Sequence, residues 1–152
     1  MLLNSLSFRT GGQCMLSLEQ ADGWLRAVWS GYITTDDAMS GALNYLAQVE
    51  PFHTLYLLND NTSLRGPWFN SVEWLDRVWL PQAVQLGLRY IAHVVQADTH
   101  NDILTLACPV PITDVFELQI FDDVVSAQEW LRACQQLISP PARPSHTVHK
   151  PQ

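Results

Sequence analysis

Thr54-Leu55-Tyr56-Leu57-Leu58 is an unbroken apolar run, and the polar segment Asn59-Asp60-Asn61-Thr62-Ser63-Leu64-Arg65-Gly66-Pro67 follows it directly. An apolar run this short, without alternation, suits a strand buried on both faces, the position of a central strand in a parallel sheet. The segment 59–67 then reads as a loop. Upstream, Thr34 and Asp37 form a capping box for a helix over residues 35–49. Its apolar residues Met39, Ala42, Leu43, Leu46 and Val49 recur at helical spacing, and Pro51 ends it. Downstream, Val72, Leu75, Trp79, Ala83 and Leu86 make one face of a second helix over 69–86, with Gly87 at its C-terminal cap. Pro81 lies inside that pattern and predicts a kink, because it removes an amide donor and crowds the preceding turn.

Further out, Cys14–Glu19 and Trp24–Gly31 alternate apolar and polar residues around the turn Asp22-Gly23, which predicts an antiparallel hairpin. Residues 89–96 and 116–121 read as further strands. Thr99 and Asp102 predict a short helix to about Ala107. Ser126 and Glu129 resemble a capping box in a final helix over 123–138, with Ala127, Leu131, Cys134 and Ile138 facing inward. The order β-β-α-β-α-β-α-β-α predicts an α/β fold. Its sheet is mixed and mostly parallel, of four to five strands, with an N-terminal β-hairpin and flanking helices.

The charge is uneven. Fifteen acidic residues oppose eight basic ones, for a net −7 over 152 residues. Residues 139–152 carry Arg143, Lys150, four prolines and no acid, and read as a proline-rich flexible tail after a domain over 1–138. The domain then holds six cations against fifteen anions, a balance that argues against nucleic-acid binding. Lys150 is the only lysine, so Schiff-base chemistry and a P-loop are excluded from the domain. No apolar stretch reaches the length of a membrane span, and the N-terminal residues lack the pattern of a secretory signal. Three cysteines without a CxxC pair fit reduced thiols in a cytoplasmic protein.

The order and spacing of several short motifs resemble a known family. They are Trp29-Ser30-Gly31, Leu57-Leu58-Asn59-Asp60-Asn61, Pro81, Gly87-Leu88-Arg89-Tyr90-Ile91-Ala92, Phe121-Asp122-Asp123 and Trp130-Leu131. The sequence resembles the small, uncharacterised bacterial STAS-like proteins, related in fold to the anti-sigma factor antagonists, over residues 14–137. The resemblance implies a STAS-like sheet with packed helices and, usually, no known enzymatic activity. In phosphorylated STAS domains a serine after this strand, at the start of the next helix, accepts phosphate. The matching positions are Thr62 and Ser63, although the Asp-Ser pair of the acceptor pattern is replaced by Asp60-Asn61.

The candidate ligand- or partner-binding residues are Asp60, Asn61, Thr62, Ser63, Arg65, Trp68 and Trp74. The first five follow the C-terminal end of a central strand, where open α/β sheets bind ligands. Asp60 and Asn61 are also common turn-formers. Arg65 could grip a carboxylate or phosphate. On a helical wheel Trp68 shares the core stripe with Val72, Leu75 and Trp79, whereas Trp74 lies about 100° from Leu75 and is expected on the surface as a contact anchor. Trp24 and Trp29, five apart on a strand, point to opposite faces, so only one of them is expected in the core. His93, in an apolar strand, reads as a core or edge histidine. No metal-ligand spacing, catalytic motif or cofactor motif is present.

Three readings of function follow. The leading one is a non-enzymatic regulatory or protein-interaction module, with an unknown protein partner and homodimerisation as a further expectation. The alternative is a small-molecule or lipid-binding domain with an apolar pocket between sheet and helices, for which a ligand-sized cavity is the deciding observation. The third is an enzyme, which requires Asp60, His93 and Ser63 to converge in one cleft.

Overall fold

The computed structural model describes residues 1–96 and 116–138. The expected helix over 99–107 and the tail over 139–152 lie outside these residues.

Six strands form one sheet in chain order: β1 (Leu2–Ser7), β2 (Gln13–Glu19), β3 (Trp24–Tyr32), β4 (Tyr56–Arg65), β5 (Tyr90–Val94) and β6 (Glu117–Phe121). The β1/β2 and β2/β3 pairs are antiparallel, and β3/β4, β4/β5 and β5/β6 are parallel. The α/β class and the hairpin are as the sequence predicts. The strand count exceeds the expected four to five because Leu2–Ser7 adds an edge strand. That strand is half-exposed and slips register between Leu2 and Asn4, so it carries little alternation to read.

Helix α1 (Thr35–Val49) begins with the predicted capping box. Thr34 Oγ1 accepts from the Asp37 amide at 3.1 Å, and Asp37 Oδ2 accepts from the Thr34 amide at 3.1 Å. The expected second helix is instead a composite. Trp68–Ser71 is a 3₁₀ turn, Val72–Trp74 an α turn, Leu75–Trp79 a π turn and Leu80–Gln85 regular α-helix. The π turn sits directly before Pro81, whose missing N–H interrupts regular α pairing there. Gly87 closes the stretch with φ +113°, donating to the Val84 carbonyl while Leu88 donates to that of Ala83. This is the paired-bond glycine cap. The last helix (Val124–Ile138) is capped by Asp123, whose carboxylate accepts from the Ser126 amide at 2.7 Å, rather than by Ser126 itself.

Both faces of the sheet are covered. One core contains Trp24, Tyr56, Leu58, Ala92 and Val94 under Ala127, Leu131 and Cys134 of the last helix. The other contains Leu25, Ala27, Trp29, Leu57 and Ile91 under α1 and the stretch 68–85. Trp24 and Trp29 do point to opposite faces, yet both are buried, at 0% and 9% exposure. The expectation that only one is core is corrected, because each face has its own helical cover.

Candidate functional site: a polar stripe in an apolar cavity

The segment expected as the loop 59–67 is mostly strand. β4 runs through Arg65, and its alternation continues into the polar residues. Leu57, Asn59 and Asn61 point to the α1 face, while Tyr56, Leu58 and Asp60 point to the last helix. Between Val28/Asp60 and Ser30/Ser63 the β3–β4 register shifts by one residue. This bulge switches parity, so Leu64 faces the same side as Asn61. Asp60 holds the bulge. Its Oδ1 accepts from the Thr62 amide at 3.0 Å and from Thr62 Oγ1 at 2.8 Å, and its Oδ2 lies 3.6 Å from Arg26.

On the α1 side lies a cavity of about 720 Å³, half-open to solvent. Its floor is the sheet, with Leu16, Ala27, Trp29, Leu57, Leu64 and Ile91. Its roof is Ala38 and Ala42 of α1 with Trp68, Leu75 and Trp79. Trp79 ties the two roof elements together, because its indole N–H donates to the Ala42 carbonyl at 2.8 Å and its ring meets Tyr45 edge-on at 5.4 Å. Gly41 lies against the outer edge of the Trp29 ring, where a Cβ would collide. Glu73, Asp76, Arg77 and Glu117 also border the cavity; Glu73 and Arg77 form an exposed ion pair at 3.2 Å.

A polar stripe crosses the apolar floor. Trp29 Nε1 donates to Asn59 Oδ1 at 2.9 Å, Asn59 Nδ2 meets His93 Nδ1 at 2.9 Å, and the Asn61 amide meets His93 Nε2 at 3.3 Å. Asn59 and His93 are register partners on β4 and β5, so their side chains stand together on one face. Trp68 lies over the imidazole, with ring centroids 5.9 Å apart. Burial pushes the pKa of His93 down to about 4, so the ring is neutral near neutral pH. Burial also pushes the Cys14 thiol in the cavity wall up to about 12, so it is not a thiolate nucleophile there.

The seven candidate residues therefore do not form one patch. Asn61 and Trp68 line the cavity. Asp60 is buried on the opposite face and is a bulge anchor, while Asn61 is a buried strand residue rather than a turn-former. Thr62 is half-buried against Asp60, and Ser63 and Arg65 are exposed within β4. Thr62 and Ser63 are thus not at a helix start, where the phosphoacceptor comparison placed them; the helical stretch begins at Trp68. Trp74 is half-buried and packs against the core, because the 3₁₀ and π turns break the regular 100° wheel that put it on the surface. Asp60 and His93 occupy opposite faces and Ser63 is exposed, so the three do not converge. Among the described residues no cluster of histidine, cysteine or acid could hold a metal.

Neither Asn59 nor His93 is among the seven candidate binding residues, and His93 enters the sequence reading only with Asp60 and Ser63 in the enzyme alternative. The available signal was alternation: Leu57, Asn59 and Asn61 share one parity on β4, and Ile91 and His93 share one on β5. Paired in parallel, they place amides beside an imidazole.

This architecture is STAS-like. A solved structure with the same fold is an uncharacterised protein of the DUF3478 family, with a SpoIIAA-like fold, from Shewanella loihica PV-4. The similarity has a TM-score of 0.51 and 20% identity, and covers 83% of this chain and 98% of that one. No family model and no curated protein matches the sequence. Among the described residues no helix is long and apolar enough to cross a membrane.

Proposed function

We propose that this STAS-like domain is a binding module for a small, mostly apolar molecule held between the sheet and its α1-side helices. The supporting observation is the cavity of about 720 Å³, which falls in the size range of small-molecule sites and has apolar walls with a few polar groups on its floor. The protein-interaction reading rests on the STAS-like resemblance, the absent catalytic motifs and the surplus of tryptophan; of the surface named for it, Ser63 and Arg65 are exposed, Asp60 and Asn61 are buried and Trp74 is half-buried. The module is non-catalytic in this reading, with a neutral imidazole and a protonated thiol in the cavity. Cys14 and Cys134 as buried free thiols support a reducing, cytoplasmic setting.

A fluorescent apolar probe titrated into the full chain tests this. Wild type should bind one equivalent, and Ala38→Phe, which projects a ring into the cavity, should weaken binding at least tenfold with unchanged circular dichroism. Absence of probe binding to wild type, or equal binding by folded Ala38→Phe, contradicts the proposal.

A further inference from the structure

The polar stripe has a direction, and that direction specifies the ligand. An indole N–H is only a donor, so Trp29 fixes Asn59 with its oxygen toward the indole and its NH₂ toward His93 Nδ1. Nδ1 must then accept. A neutral imidazole carries one proton, which is therefore on Nε2, facing the Asn61 amide at 3.3 Å. Two donors cannot bond each other, so the network turns the Asn61 oxygen to Nε2 and leaves its NH₂ as the outer end. The outer position, which Asn61 Oδ1 holds while Nδ2 faces Nε2 and which the NH₂ takes once the amide is turned, is buried with no partner among the described residues, on a residue 5% exposed that lines the cavity. An unsatisfied buried amide is costly and is a place for a ligand atom.

Charge narrows the class further. The floor groups Asn59, Asn61 and His93 are neutral, and the nearby charges are Glu73, Asp76 and Glu117 against Arg77, itself paired to Glu73. Against Asn61 on the floor, a ligand carboxylate would be buried with no cation beside it among the described residues, which is unfavourable. Resting on the binding-module reading, we infer that the cavity selects a neutral, largely apolar molecule carrying one acceptor oxygen, a ketone or alcohol, placed against Asn61 Nδ2. Asn61 is the specificity-determining residue.

Displacement titrations of the full chain with methyl heptyl ketone, nonanoate and nonane near neutral pH test the inference. The ketone should bind wild type at least tenfold tighter than nonanoate. Asn61→Leu should weaken the ketone roughly tenfold, the worth of one hydrogen bond, and leave nonane unchanged or tighter. In wild type, the Asn61 side-chain amide resonances should shift with ketone and stay in place with nonane, a readout that needs no variant. Nonanoate binding tighter than ketone, equal effects of Asn61→Leu on ketone and nonane, or unmoved Asn61 resonances would overturn the inference and leave the cavity reading standing. If none of the three displaces the probe, both fall.

Discussion

His93 is neutral because its ring is buried, and with Asn59 donating to Nδ1 the single ring proton sits on Nε2, toward Asn61. Its pKa falls from 6.5 to about 4. Below the upper value the unfolded chain takes up a proton that the folded chain refuses until the lower one. Stability is therefore complete above about pH 6.5 and declines as pH falls toward 4. The loss should be about 2–3 kcal/mol at most, below the full worth of that shift, because the residue as a whole keeps some exposed surface although its ring is enclosed. Urea unfolding across that range should show it, and His93→Gln should flatten that part of the profile. An unchanged profile in His93→Gln would count against a depressed pKa. The core roles of Trp68 and Trp79 were legible from helical spacing. The role of His93 was not, because a lone histidine in an apolar strand carries no mark of which residues its neighbouring strand sets beside it.

At the scale of elements, α1 was readable in its bounds and its cap but only partly in its buried face: Leu43 of the expected apolar set is exposed, while Ala38, Gly41 and Tyr45 outside that set are buried. A capping box is local chemistry, and Thr34→Ala should cost about 1 kcal/mol in chemical denaturation. β4 was readable only in its apolar half. Residues 59–65 look like a loop because turn-formers fill them, yet pairing with β3 through Arg65, and with β5 as far as Asp60, keeps them extended. Asp60 supports this by bonding Thr62 within the bulge and lying against Arg26 across the strand. Asp60→Ala should therefore destabilise the fold by about 2–3 kcal/mol, since it strips the bulge and leaves a part-buried guanidinium unpaired. It should leave ketone affinity per folded molecule within a few-fold of wild type, because Asp60 faces away from the cavity. A stable Asp60→Ala variant would remove the bulge anchor from the account. The stretch 68–85 was legible as helical and as interrupted near Pro81, but not in its 3₁₀ and π turns. Those shift which side chains share a face, and Trp74 was misplaced for that reason.

At the scale of the molecule, the crossover order and apolar runs were enough to predict the α/β class and the mostly parallel sheet. They could not show that two helical covers bury the two faces differently. The last helix packs tightly on its side, with Ala127 and Leu131 fully buried. The α1 side leaves about 720 Å³ between sheet and helices. A cavity is the space that packing leaves unfilled across four or more elements, so no local pattern encodes it. The central claim is that this space holds a small apolar molecule. Its most direct test is a crystal structure of the full chain grown with a brominated alkyl ketone, read for bromine by anomalous scattering. The account predicts one bromine peak inside the cavity, with the ketone oxygen within hydrogen-bond distance of Asn61 Nδ2. A cavity filled by the protein's own side chains, or bromine only on the outer surface, would contradict it.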